Sequence, residues 1–98
     1  MRYQQLLRDD QRLLVLRGLQ EMQGYTANDS IIHTVLEQYG HQISRDQVRT
    51  HLSWLSEQGM VEIETIGDTL VATLTIAGSD VATGRSTVAG IKRPSPKR

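Results

Sequence analysis

Apolar residues recur at helical spacing along the first quarter of the chain. Between residues 10 and 23, leucines, a valine and a methionine return every three or four positions, which predicts a helix with one buried face. Asp9 or Asp10 is suited to cap its start, and Gly24 is suited to end it. Residues 3–7 either extend this helix or pack beside it, and the pattern leaves both alternatives open.

A second amphipathic helix follows at once. Asn28 or Thr26 offers a side-chain oxygen to the free amides at its start. Isoleucine, valine and leucine then form an apolar stripe as far as Tyr39, and Gly40 is a stop signal. The spacing therefore predicts a helix of about three turns between Asn28 and Gly40.

A third helix begins after a short turn. Ser44 is suited to cap it, and Gln47 stands three residues later, which is the spacing of a capping box. We predict a helix over 44–58 that ends before Gly59 and buries Val48, Leu52 and Leu55. Two amphipathic helices joined by so tight a turn are typical of a helix-turn-helix unit.

The period of the pattern changes from helical to alternating at Met60. Apolar and polar residues then alternate on both sides of Gly67-Asp68, which predicts a two-stranded β-hairpin with its turn at this pair. Thr75 is suited to cap a short fourth helix that stops at Gly84. The predicted class is therefore α+β, with three helices, a hairpin, a short fourth helix and a C-terminal tail.

This order of elements is that of a winged helix-turn-helix domain. Residues 43–61, which join the third helix to the hairpin, resemble the recognition helix of the multiple-antibiotic-resistance and arsenic-repressor families of bacterial regulators. The shared features are a capping serine, core leucines, and a glycine with an apolar pair leading into the hairpin. Leu74-Thr75-Ile76-Ala77-Gly78 is similar to the Leu-Thr-x-x-Gly that follows the wing in these families. The resemblance implies DNA binding, with the third helix in the major groove.

The two ends of the chain carry a second resemblance. Arg2-Tyr3, Leu7-Arg8-Asp9-Asp10 and Gly90-Ile91-Lys92-Arg93-Pro94 are similar to stretches in small uncharacterised proteins of Mu-like prophages. This resemblance covers the whole chain. It implies a phage or prophage context and carries no known activity with it.

Charge divides the chain into two regions. Residues 1–84 hold six basic and all 11 acidic side chains, a net charge of −5, whereas residues 85–98 hold five basic side chains. The second region also lacks apolar periodicity, so we expect a winged-helix domain over 1–84 and a flexible basic tail over 85–98. An acidic body weakens attraction to phosphate, while a basic tail supplies it locally.

Several classes of protein are disfavoured by residues that are missing. The chain has no cysteine, which excludes disulfides and thiolate ligands and favours a cytoplasmic protein. No apolar run is long enough to span a membrane. No nucleophile elbow, phosphate loop or zinc-hydrolase motif is present, and the three histidines lack metal-ligand spacing. We therefore expect no enzymatic activity, no metal and no cofactor.

The polar side of the third helix supplies the candidate DNA contacts. Arg49 is suited to read guanine and Gln47 to read adenine, while Ser44 and Thr50 suit phosphate oxygens. The remaining candidates are Arg45 and Ser53 on this helix and Lys92, Arg93, Lys97 and Arg98 in the tail.

A protein partner is the main alternative to duplex DNA. The carboxylates on the third helix and on the hairpin oppose DNA, and an exposed tail can simply be solvated. Trp54, on the flank of the third helix, is expected to be a packing residue, and its alternative role is contact with a partner or a second copy. Trp54 and Asp68 at the hairpin turn are the candidate residues for a phage or host protein partner, or for an assembly component.

Overall fold

The structure is a computed structural model that describes residues 2–95. Four α-helices and three strands follow one another along this range, which confirms the mixed α+β class. Their bounds are Arg2–Glu21 for α1, Thr26–Asn28 for β1, Asp29–Gln38 for α2, Arg45–Glu57 for α3, Val61–Ile66 for β2, Thr69–Leu74 for β3 and Ile76–Ala82 for α4.

Local hydrogen bonds explain why three of the helices begin where they do. Asn28 accepts a hydrogen bond from the amide of Ile31 at the start of α2. Ser44 and Gln47 form the complete capping box of α3. The amide of Gln47 donates to Ser44 Oγ at 3.1 Å, and the amide of Ser44 donates to Gln47 Oε1 at 3.0 Å. Thr75 caps α4 by accepting from the amide of Gly78. These predicted caps are confirmed.

The start of α1 differs from the sequence prediction. The helix begins at Arg2, so residues 3–7 extend it, and the prediction that Asp9 or Asp10 caps it is wrong. The segment before Asp9 contains glutamine, leucine and arginine and lacks glycine and proline, so nothing local interrupts the helix. Asp9 and Asp10 lie within the helix and bond to other side chains instead.

The sheet has three antiparallel strands in the order β1-β3-β2. The predicted hairpin is present, with Val61 opposite Leu74 and Ile66 opposite Thr69 across the Gly67-Asp68 turn. The sequence predicted two strands, and β1 is an addition that pairs with β3. With only three residues, β1 is too short to show a periodicity.

The core lies where α1, α2 and α3 meet the sheet and α4. Six residues in succession, from Gln11 to Leu16, are buried, so the middle of α1 is enclosed on all sides. The apolar face predicted for α3 is confirmed, because Val48, Leu52 and Leu55 are fully buried. This face fixes which side of α3 is turned outward.

The packed unit continues beyond Gly84. Ile91 is buried in the core and Val88 packs against it. The amide of Lys92 also donates to the carbonyl of Asp9, at 3.2 Å. The expectation that nothing after Gly84 packs is therefore wrong for this segment. Two isolated apolar residues produce no periodic signal, although both find places on the core.

Gly78 in the Leu-Thr-x-x-Gly stretch is required by close packing. A Cβ atom at this position would lie 2.1 Å from the carbonyl oxygen of Met60 and 2.7 Å from Leu74. We expect Gly78→Ala to lower the free energy of unfolding by about 1–3 kcal/mol in denaturant titrations, because the backbone must shift. Ala77→Ser on the exposed side of α4 is the control and should change it by less than about 0.5 kcal/mol.

The packing of the C-terminal segment is open to the same measurement. We expect Ile91→Ala to cost about 2–5 kcal/mol, because it removes a buried side chain. Thr87→Ala, at an exposed position in the same segment, should stay within about 0.5 kcal/mol of the wild type. Equal stability of Ile91→Ala and the wild type would show that this segment does not belong to the core.

Candidate functional site

Helix α3 separates two surface depressions with different chemistry. One, which we call the α3–hairpin cleft, lies between α3 and strands β2 and β3 and measures about 460 Å³. The other, which we call the α1–α3 groove, lies between α1, the α2–α3 loop and the start of α3, and measures about 470 Å³. Of the candidate residues on α3, Arg49 and Ser53 line the cleft, Gln47 lines the groove, and Thr50 lines both.

A buried carboxylate organises the cleft side. Asp29, in the first turn of α2, is completely buried. Its two oxygens accept hydrogen bonds from Arg45 at 3.2 Å and from Arg49 at 2.8 Å. Arg49 also donates through Nη2 to the backbone carbonyl of Asp68 in the hairpin turn. These bonds join α2, α3 and the hairpin.

The ion pairs determine the charge state of Asp29. Burial by itself raises the pKa of Asp29, but the hydrogen bonds and positive charges of Arg49 and Arg45 outweigh it and hold the pKa below its usual value. The carboxylate is therefore ionised at neutral pH. Two N–H groups of Arg49 are already bonded within the chain, so a base contact by Arg49 would compete with these bonds.

The cleft is lined by polar, apolar and acidic side chains. Ser53 and Glu57 line its α3 side, and Ile63 and Leu70 come from the hairpin. Glu62 and Glu64 are exposed on the other face of the hairpin, because side chains alternate along a strand and Ile63 faces the cleft. Carboxylates repel phosphate, so this side of α3 is unfavourable for DNA.

A chain of hydrogen-bonded polar side chains leads from Gln11 and His51, which line the α1–α3 groove, to His41 and Asp10 outside it. His51 Nε2 lies 2.9 Å from Gln11 Oε1, Gln11 Nε2 lies 3.2 Å from His41 Nδ1, and His41 Nε2 lies 2.7 Å from Asp10 Oδ2. The amide of Gln11 donates through nitrogen and accepts through oxygen, which assigns the protons of both rings. His51 therefore donates to Gln11, Gln11 donates to His41, and His41 donates to Asp10.

His51 is held in its neutral form. Burial lowers its pKa to about 4, and the positive charge of Arg12 is the next largest cause. With its proton on Nε2, the Nδ1 atom is a buried acceptor that has no hydrogen-bond partner within residues 2–95. This series of hydrogen bonds joins α1 to α3 only while both imidazoles keep these proton positions.

The lining of the groove has no acidic residue. Its residues are amides, bases, a hydroxyl, an imidazole and two aliphatic side chains: Gln4, Leu7, Arg8, Gln11, Arg12, Gln42, Ile43, Gln47, Thr50 and His51. Gln47 and Thr50 were predicted from the sequence, whereas Gln4, Arg8 and Gln42 were missed. They lie on α1 and on the loop before α3, and only the tertiary structure brings them beside the third helix.

The capping role of Gln47 restricts what else it can do. Its Oε1 atom accepts from the amide of Ser44, and Ser44 Oγ accepts from the amide of Gln47. Bidentate reading of adenine needs both the oxygen and the nitrogen of a glutamine side chain. Gln47 can read adenine in this way only if the cap opens, whereas its amide nitrogen can donate to a phosphate with the cap intact.

Trp54 is half-buried and takes part in internal packing. The guanidinium carbon of Arg12 lies 3.8 Å from the centre of its ring, as in a cation–π contact. Arg12 also donates to the carbonyl of Gly90 at 3.2 Å. Gly90 lies so close to the indole that a Cβ atom there would be 3.2 Å from the ring. The C-terminal segment therefore covers part of Trp54.

The basic tail residues occupy different situations. The ammonium of Lys92 lies 3.5 Å from Asp10 Oδ1, and Arg93 is exposed. Lys97 and Arg98 lie outside the described residues.

Each helix within residues 2–95 is too short or too polar to cross a membrane.

The depressed pKa of His51 predicts a pH dependence of stability. The unfolded chain binds a proton near pH 6.5 and the folded chain only near pH 4, so the free energy of unfolding should fall as the pH drops between these values. The expected loss is about 3 kcal/mol. In denaturant titrations from pH 7 to 4, His51→Gln should flatten this fall, because glutamine keeps a donor for Gln11 and does not titrate. An unchanged slope would contradict the assignment.

Two curated relatives cover most of the chain. Protein gp26 of Escherichia phage Mu, described as uncharacterized, is 47% identical over 92 residues, which are 94% of this chain and 95% of that protein. An uncharacterized protein of Haemophilus influenzae is 57% identical over 76 residues, which are 76% of this chain and 74% of that protein. No family model matches. The predicted resemblance to Mu-like phage proteins is confirmed, and the chain belongs to the family that includes gp26 of phage Mu.

Proposed function

We propose that this chain is a winged-helix protein that binds duplex DNA through the α1–α3 groove. The observation that carries the proposal is the lining of this groove beside the start of α3, which contains no carboxylate. Its accessible polar side chains are Gln4, Arg8, Gln42, Gln47 and Thr50, whereas Gln11 and Arg12 are buried and bonded within the chain. Glutamine, arginine and threonine are common donors to phosphates and base edges. The activity is one of binding, without catalysis.

The order of the helices and the hairpin supports the winged-helix interpretation. Helices α2 and α3 are joined by six residues, and the hairpin follows α3 after three. The additional strand β1 pairs with β3 on the edge opposite β2, so it leaves the hairpin turn at Gly67-Asp68 projecting as a wing. In this interpretation α3 is the recognition helix.

The groove side of α3 suits DNA better than its cleft side. Ser44, Gln47 and Thr50 lie near the N-terminal end of α3, where helix amides favour an anion. Arg8 on α1 is partly exposed and contributes a guanidinium that is paired with Asp9 at 3.1 Å. On the opposite side, Arg49 acts as a positioning residue that holds the hairpin, so a substitution of Arg49 reports on this geometry as well as on DNA.

A pair of charge-matched variants tests the proposal. Gln42→Glu adds one negative charge to the groove, and Ser53→Asp adds one to the cleft, both at exposed positions. We expect Gln42→Glu to weaken binding to a random-sequence duplex by about 1 kcal/mol, or roughly fivefold, in fluorescence anisotropy at low salt. Ser53→Asp should have a much smaller effect, because it lies on the side away from DNA.

The salt dependence provides an independent readout. Arg8→Gln should reduce the slope of log K against log salt by about 0.9 if Arg8 contacts one phosphate. Circular dichroism of each variant controls for folding. A wild-type protein that binds no duplex at low salt would contradict DNA binding. A larger effect of Ser53→Asp than of Gln42→Glu would contradict the groove as the binding site and place DNA on the cleft side of α3.

The α3–hairpin cleft favours a second candidate function, the docking of a protein partner. Ile63 and Leu70 provide apolar surface, and Glu57 adds an acidic side chain on the α3 side. This chemistry fits a partner segment with apolar and basic side chains. Because the chain has no cysteine, photo-crosslinkers attached at Ser53→Cys and Gln42→Cys distinguish the two sides. A protein crosslinked only from Ser53→Cys, in the absence of DNA binding, would favour this function.

A further inference from the structure

The first two turns of α1 carry an apolar stripe. Tyr3, Leu6 and Leu7 have the i, i+3, i+4 spacing that places side chains on one face of a helix. Their exposed fractions are 71%, 61% and 42%, and every residue from 2 to 7 is exposed. This part of α1 extends past the core, and the described part of the chain leaves the stripe largely uncovered. Another apolar surface would stabilise it.

Two opposite charges lie along the same edge of this stripe. Arg2 and Asp9 are seven residues apart, about two helical turns, so they share one side of α1. Leu6 lies between them, four residues after Arg2 and three before Asp9. Asp9 bonds to Arg8 through Oδ1, and its other oxygen makes no hydrogen bond within residues 2–95.

We propose that a second copy of this chain covers the stripe, with the two α1 helices antiparallel and a two-fold axis near residues 5 and 6. In this arrangement the edge that carries Arg2 and Asp9 on one helix faces the same edge on the other helix. Arg2 of each copy then faces Asp9 of the other, at both ends of the contact. In a parallel pair related by a two-fold axis, opposite edges of the stripe would face each other, so Arg2 and Asp9 would not be brought together.

The size of the stripe sets the strength of the dimer. Stable interfaces bury about 1,200 Å² or more in total. Three apolar side chains from each copy supply only part of this area, so the flanking Arg2 and Asp9 pairs must contribute. We therefore expect a dissociation constant in the micromolar range. The contact shares Leu7 with the lining of the α1–α3 groove, whereas Arg2, Tyr3, Leu6 and Asp9 lie outside that lining. The proposal rests on the apolar stripe and its flanking charges, so it does not depend on DNA binding.

Cysteine crosslinking tests the geometry of the contact. Leu6→Cys places a thiol near the two-fold axis, and its neighbour Gln5→Cys places one on the opposite side of α1. The full chain has no other cysteine. Under mild oxidation at about 50 μM protein, Leu6→Cys should form a disulfide-linked dimer, whereas Gln5→Cys should stay monomeric. Crosslinking of Gln5→Cys at the same rate as Leu6→Cys would overturn the proposed face.

Charge reversal tests the orientation without relying on crosslinks. Analytical ultracentrifugation should show a concentration-dependent dimer for the wild type, and Leu6→Gln should abolish it. Arg2→Asp and Asp9→Arg should each weaken association about tenfold, and the double variant should restore it. A wild type that is monomeric at several hundred micromolar, or a double variant weaker than both single variants, would overturn the antiparallel dimer. DNA binding by Leu6→Gln is measured in a separate experiment, so a failure of the dimer proposal can be told apart from a failure of DNA binding.

Discussion

The arrangement of the site depends on the buried carboxylate of Asp29. A fully buried charge is costly unless it is paired, and Asp29 is paired with Arg45 and Arg49 of the next helix. Arg49 also donates a hydrogen bond to the backbone carbonyl of Asp68, which links this ion pair to the hairpin turn. Because Asp29 joins α2 to α3 and Arg49 joins α3 to the hairpin turn, polar bonds as well as apolar packing hold these three elements together.

This constraint leaves the two sides of α3 with different chemistry. The arginines are bonded on the cleft side, where Glu57 of α3 is exposed. On the other side, the buried chain through Gln11 holds α1 against α3 and leaves amides, a hydroxyl and Arg8 around an open groove. No carboxylate lines this groove, although Asp9 pairs with Arg8 and Asp46 is exposed in the first turn of α3. The proposed DNA interface lies there because its lining is uncharged or basic.

The long first helix connects the two proposals. Its middle is enclosed by the core, while Gln4, Leu7 and Arg8 contribute to the groove and Leu6 lies on the proposed dimer stripe. A dimer built on α1 would carry two α3 helices related by two-fold symmetry, as expected for proteins that bind palindromic DNA sites. The two proposed surfaces meet at Leu7, which lies on the stripe and also lines the groove, while the other residues of each surface differ.

The sequence by itself determined the features that arise from neighbouring residues. The caps of α2, α3 and α4, the buried face of α3 and the Gly67-Asp68 hairpin all follow from side chains within a few positions of one another. Local hydrogen bonds and a regular apolar period are sufficient to specify them. The similarity of both chain ends to Mu-like phage proteins was also present in the sequence.

Only the tertiary structure decided the features that depend on distant residues. Arg49 is suited by type and position to read a base, yet its main partner, Asp29, is 20 residues away in the chain. The groove needs α1 beside α3, strand β1 needs β3, and Ile91 needs a core built mostly by earlier residues. No periodicity records these contacts, because each joins segments whose separation along the chain bears no relation to their distance in space.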